Sequence, residues 1–163
     1  MHIYLKNKKI IFNNYKVKCS IGKRGISVNK KEGDYITPKG TFKLVSVFYR
    51  KDRVKNIDTS LKKFIITKKM GWCDDAESKY YNKLIRFPFK GSAEKLYLKK
   101  NIYDIIIIID YNFKPIVKHK GSAIFLHVAT RNYKPTKGCV AISKKNLMKL
   151  LKLINNKSKI TIN

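Results

Sequence analysis

Apolar residues fall into short strand-like runs along most of the chain, and in one stretch they alternate with polar residues at a period of two, the signature of a half-buried strand. Ile3-Tyr4-Leu5 and Ile10-Ile11-Phe12 flank Lys6-Asn7-Lys8-Lys9, which reads as a hairpin loop. Tyr15, Val17, Cys19 and Ile21 alternate with Lys16, Lys18 and Ser20, so Cys19 falls on the apolar face of a third strand and is a structural residue. Gly22 to Gly40 reads as a long polar loop, Thr41–Tyr49 as a strand, Arg50–Ser60 as a loop and Phe64–Thr67 as a short strand. Residues 70–100 show little periodicity and read as irregular, a feature that often marks function in a compact domain. Ile102–Asp110 is apolar on both faces, as a central strand must be, and Ala123–Val128 follows as another. Ser143 stands as an N-cap before Leu147, Leu150, Leu151 and Ile154, spaced for one apolar stripe on a helix, and Lys159–Ile162 closes the chain as a strand. The expected fold is mainly β, with a C-terminal amphipathic helix packed on the sheets, in a single domain spanning residues 1–163.

Composition changes this picture in two places. The 38 Lys and Arg residues against 10 Asp and Glu give a net charge of +28, a balance that brings anionic polymers to mind. Lysine far outnumbers arginine, and Ile, Asn and Tyr abound, as an AT-rich genome imposes on any protein. No nucleic-acid motif accompanies the lysines, so nucleic acid is disfavoured as a partner. The charge is also uneven, because no acid follows Asp110, and Cys139 therefore sits in a stretch that carries only cations. Nearby positive charge favours a thiolate over the ordinary thiol, whose pKa is about 8.5. No apolar run approaches the roughly 18 residues of a membrane span. The N-terminus lacks an apolar core followed by a small-residue cleavage site, so no secretory signal is expected there.

Chemistry concentrates near Pro135-Thr136-Lys137-Gly138-Cys139-Val140. The three cysteines, Cys19, Cys73 and Cys139, have no metal-ligand spacing among themselves or with His2, His119 and His127, and no metal or cofactor is expected. A nucleophilic cysteine needs a base and donors for the oxyanion. His127, ending an apolar strand, is the natural base for Cys139, and the turn-rich Arg131–Pro135 loop can return the chain beside it. With no acid in this third of the chain, a backbone carbonyl such as that of Val128 is a candidate to orient the imidazole. The helix beginning near Ser143 is expected to aim its N-terminus at this region. From the residues alone, a satisfied core histidine and a small buried cysteine remain the alternative. Cys73 lies beside two aspartates with no histidine near it, and His119 lies in a lysine-rich loop, which makes neither a candidate.

Three separated motifs add a resemblance. Gly121–His127 followed by Pro135–Ile142 resembles the catalytic motif of the YkuD-type L,D-transpeptidases, in which a strand ends in His and a loop returns through a Gly-Cys step. Gly33–Phe42 is similar to that family's Thr-Pro-x-Gly-x-Phe turn, and Gly71-Trp72-Cys73-Asp74-Asp75 with Tyr81-Asn82 to a branch with a Trp-Cys-Asp-Asp insertion. The likeness is strongest over residues 15–154. It implies a β-sandwich-like catalytic domain and a cysteine acyltransferase acting on peptidoglycan stem peptides. Cys139 would be the nucleophile, His127 the general base, and the amides near Gly138 the oxyanion donors. The thiolate would attack the carbonyl of the third stem residue, usually a diaminopimelate, and release the terminal D-alanine. An amine would then resolve the thioester into a crosslink; water in its place would make a carboxypeptidase. Lys137 and Ala141 stand where many members carry His and Arg, so Arg131, Lys134 and Lys137 are candidates for the stem carboxylate. Trp72, Asp74, Asp75, Tyr81 and Asn82 are candidates to line the cleft, with Asp74 or Asp75 set against ammonium groups; the plainer reading makes Trp72 a core anchor and the aspartates turn caps. The implied substrate places the protein in the periplasm or cell envelope, and a monomer is expected. A non-catalytic basic module binding the cell wall through charge is the alternative from another class.

Overall fold

A computed structural model describes residues 1–163, 37% of them in strands and 8% helical. Strands β1 (His2–Lys6) and β2 (Lys9–Phe12) form a hairpin whose loop is shorter than the lysine pattern suggests. Lys6 pairs with Lys9, leaving Asn7 and Lys8 as a two-residue turn with φ of 52° and 54°. Two consecutive positive φ values match the right-handed twist of the flanking strands. Strand β3 (Tyr15–Lys18) pairs with β2. The loop after it is not featureless: β4 (Ile26–Ser27) and β5 (Thr37–Pro38) pair within it.

Strand β6 (Gly40–Tyr49) is the hinge of the architecture, with the short β7 (Lys62–Ile65) parallel to its second half. Next come β8 (Met70–Cys73), β9 (Leu84–Arg86) and β10 (Ala93–Lys95), a separate sheet in the order β10-β8-β9. Here the expectation of irregular chain is corrected. These strands are three or four residues long, too short to express a period. A Cβ at Gly71 would lie 2.6 Å from the Phe87 ring, so glycine is what lets the two segments close. A 3₁₀ turn at Asn101–Tyr103 leads into β11 (Ile105–Ile109), followed by β12 (Phe125–Val128), β13 (Val140–Ile142), α1 (Lys144–Leu153) and β14 (Lys159–Ile162).

The main sheet runs β13-β12-β11-β6-β14-β1-β2-β3. The first residues of β6 pair with β14 and the later ones with β11, so one strand joins both halves. Just beyond β3, Ser20 exchanges backbone hydrogen bonds of 2.8 and 2.9 Å with Ala141 on β13, and the sheet nearly closes on itself. Helix α1 is capped by Ser143, whose hydroxyl accepts from the Asn146 N–H. Its Leu147, Leu150 and Leu151, with Ile154 after it, are wholly buried against the sheet, each contributing about 2 kcal/mol of hydrophobic stabilisation. No helix is long and apolar enough to cross a membrane.

Two apolar clusters result. The larger joins α1 to Ile105, Ile107, Ile109, Leu126, Val128, Val140 and Ile142. The smaller takes the alternate residues of the same strands, Ile106, Ile108, Phe125 and Cys139, and packs them against Phe48, Trp72, Leu96 and Tyr103.

Candidate active site

Parallel pairing of β12 with β13 sets Leu126 opposite Val140 and His127 opposite Ala141. By the same register Cys139 lies opposite Phe125, whose N–H meets Sγ at 3.4 Å. Period-two alternation therefore puts Cys139 and His127 on one face, two positions apart on neighbouring strands. Both line a cavity of about 730 Å³ together with Tyr103, Glu94, Asp74, Glu32, Lys30, Lys134 and Lys137. Ala141, small and buried beside the imidazole, leaves that face clear for the ring.

His127 Nδ1 lies 3.0 Å from the Val128 carbonyl oxygen. A carbonyl only accepts, so Nδ1 carries the proton and Nε2 the lone pair. Tyr103 stands edge-on to the ring, with centroids 5.3 Å apart. Burial drives the imidazole pKa down to about 4, while the carbonyls of Val128 and Ile102 pull the other way. Burial likewise pushes the Cys139 thiol up to about 12; Glu94 adds to this, and the Phe125 N–H and Lys30 oppose it. The thiol donates instead to the Ala123 carbonyl at 3.1 Å. At neutral pH the resting pair is thus neutral thiol and neutral imidazole. The expectation that surrounding cations would favour the thiolate is overturned, because desolvation outweighs them. The helix contributes nothing here either. The three strand residues Val140–Ile142 separate Cys139 from Ser143, and four steps of about 3.3 Å put the helix start roughly 13 Å away.

A family model, YkuD, the L,D-transpeptidase catalytic domain, matches residues 1–162. The chain belongs to this family. No curated protein matches it. The family is typically enzymatic and acts on peptidoglycan peptides.

In this YkuD domain the residues expected around the cleft divide into two groups. Asp74 and Lys137 line the cavity, as does Lys134. One Asp74 oxygen, Oδ1, is buried without a hydrogen-bond partner. Trp72, Asp75, Tyr81, Asn82 and Arg131 lie elsewhere. Trp72 is a core anchor, packed edge-on against Phe125 and Phe48, and its Nε1–H donates to Asn82 Oδ1 at 2.9 Å. Asn82 also accepts from the Ala123 N–H and donates to the carbonyls of Tyr111 and Asn112, so its amide is fully engaged. Asp75 caps a turn by accepting from the Glu77 N–H. The Tyr81 hydroxyl donates to Glu32 and accepts from the Gly121 N–H, bracing the cavity wall from behind. Arg131 lines a separate hollow of about 550 Å³. These residues hold the shape of the site: Asn82 fixes Ala123, and Ala123 fixes the thiol.

The Gly138 amide is also differently used from what the motif suggests. It donates to Thr136 Oγ1 at 3.1 Å, and Thr136 in turn donates to the Cys139 carbonyl. The Cys139 amide, by contrast, has no acceptor in the protein. Gly138 has another reason to be glycine. Its φ is +137°, and a Cβ there would lie 2.8 Å from the Ile36 carbonyl oxygen. Thr37 ties the two loops, donating to the Gly138 carbonyl at 2.8 Å and accepting from the Gly22 N–H.

Sequence reasoning missed Lys30, Glu32, Glu94 and Tyr103, all of which line the cavity. Tyr103 donates to Glu94 Oε1 at 2.5 Å, and Glu94 has its pKa raised by burial, with Asp74 adding to the rise. Only the Lys30–Asp34 pair left a local trace, opposite charges four residues apart in the polar loop ahead of Thr37-Pro38.

Proposed function

We propose that the chain is an L,D-transpeptidase in the strict sense, a cysteine acyltransferase that joins peptidoglycan stem peptides. The observation that carries this reading is the neutral His127, whose lone pair is left on Nε2 by the Val128 carbonyl, in one cavity with a free thiol. As Cys139 Sγ bonds to the carbonyl carbon of the third stem residue, its proton passes to His127 Nε2. Charging the imidazole is met by the carbonyls of Val128 and Ile102. The tetrahedral intermediate collapses, the C–N bond breaks, and His127 returns the proton to the departing D-alanine amine. The amine of a second stem then attacks the thioester, His127 takes its proton, and Sγ leaves as the thiol. Because the free pair is neutral, proton transfer accompanies attack instead of preceding it. Asp74, which lines the cavity and has one buried oxygen without a partner, would receive an ammonium group of the stem.

Incubation with disaccharide-tetrapeptide and mass spectrometry of the products tests this. Crosslinked dimers with loss of D-alanine are expected, and none with Cys139→Ala. Tripeptide without dimer would mean that water resolves the thioester; undiminished activity in Cys139→Ala would sink the mechanism.

A further inference from the structure

Lys30 is the most deeply buried cation of the cavity, with its side chain 3% exposed. Gly121 makes room for it, and Gly138 lies alongside. A Cβ at Gly121 would lie 2.9 Å from Lys30 Cε, and one at Gly138 would lie 3.6 Å from Nζ. The ammonium is clamped by Asp34 Oδ1 at 2.8 Å and by the Lys31 carbonyl at 3.0 Å. The clamp is itself braced, since Asp34 also accepts from the N–H groups of Lys31 and Ile36. Burial works to raise the Asp34 pKa, but these hydrogen bonds take it below its ordinary value, so the clamp stays anionic.

An ammonium has three protons, and two are used. The third is unclaimed beside Gly138, in the cavity that holds Cys139. A buried donor without an acceptor costs stability unless something arrives to use it. The Cys139 N–H is in the same condition. These two unused donors, one of them charged, belong to the same cavity as Sγ, which a carbonyl carbon must reach.

Building on the proposed acyl transfer, we propose that Lys30 is a catalytic residue whose ammonium, with the Cys139 amide, forms the oxyanion hole. As the S–C bond forms, the carbonyl π electrons move to oxygen, and that oxygen is held by Lys30 Nζ and Cys139 N–H. When the C–N bond breaks the electrons return, the carbonyl reforms, and the amine leaves with the proton His127 carried. The field of Lys30 reaches Sγ, since it pulls the thiol pKa down against burial.

Two reactions at the same sulfur separate this role from the others. A carbapenem acylates through a tetrahedral oxyanion: the S–C bond forms, the lactam C–N bond breaks, and the thiol proton ends on nitrogen. Iodoacetamide alkylates by displacing iodide, with no oxyanion, and reads the thiolate fraction and access. Both rates at Cys139 would be followed by peptide mass spectrometry at one pH, in wild type and Lys30→Met. Acylation is expected to fall about 10²–10³-fold, the usual loss for one oxyanion donor, and alkylation by less than about tenfold. Should Lys30→Met fail to fold, Lys30→Gln with Asp34→Asn replaces the ion pair by a neutral hydrogen-bonded one and is read the same way. Acylation falling only in proportion to alkylation, or not at all, overturns the assignment. Wild-type protein that gains no carbapenem mass at Cys139 overturns the acyl-transfer reading itself, and Lys30 with it.

Discussion

Strands β11, β12 and β13 present two faces that differ in what they ask of their residues. Toward α1 they send Ile107, Leu126, Val128, Val140 and Ile142, which need only volume and apolar surface. Toward the small sheet they send Ile106, Phe125, His127, Cys139 and Ala141. There each polar group has a particular partner: His127 the Val128 carbonyl, Cys139 the Ala123 carbonyl, Tyr103 the Glu94 carboxyl. The difference teaches that one set of backbone hydrogen bonds positions both a generic core and a specific site, with residue parity deciding which. Substitutions on the first face should register as stability, and those on the second as chemistry.

The sharpest test pairs one residue from each face. Cys139→Ala should abolish acyl transfer, by at least about 10³-fold, with little change in the denaturant midpoint. Leu150→Ala should cost about 2–5 kcal/mol of stability and leave the rate per folded molecule unchanged. Product mass spectrometry and urea unfolding on both variants decide it. An inactive yet fully stable Leu150→Ala protein would break the comparison.

A second test concerns the protonation state of the reactive face. With the thiol pKa at about 12, Cys139 is mostly protonated below that pH, and its small thiolate fraction grows with pH. Iodoacetamide alkylation of Cys139 should therefore climb about tenfold per pH unit from 7 to 10. A rate that levels off between pH 6 and 8 would mean a preformed thiolate and would contradict the neutral pair.

What was legible in the sequence follows the same division. Period-two alternation marked β3, unbroken apolar runs marked β11 and β12, and the leucine stripe marked α1, because a strand or helix packed on a generic core writes its pattern locally. Cys139 and His127 could be set together because they lie on adjacent strands joined by one loop. Lys30 and Glu94 are far from Cys139 in the chain and reach it through the turn around Thr37 and through β10, neither of which has a period. The occupied Gly138 amide was equally hidden, since it depends on the rotamer of Thr136. The desolvation that governs both pKa values is a property of the assembled cavity. Counting lysines near residue 139 along the chain pointed to the opposite sign.

The smallest expected effect lies behind the reactive face, at Tyr103→Phe. The ring would keep its edge-on contacts with Phe125 and His127, so packing is conserved. What is lost is the hydroxyl that donates to Glu94, which lowers the Glu94 pKa against burial. Without it the buried carboxyl holds its proton to still higher pH. An acid whose folded pKa is raised stabilises below its unfolded pKa of about 4.3, and that contribution is lost as pH rises toward the folded value. The variant should therefore be close to wild type in stability at pH 5 and weaker at pH 8, by about 1–2 kcal/mol. Carbapenem acylation should change less than about tenfold, because the hydroxyl is hydrogen-bonded to Glu94 and to neither Sγ nor Nε2. A stability loss equal at both pH values would show that Tyr103 contributes packing alone and that Glu94 is indifferent to it.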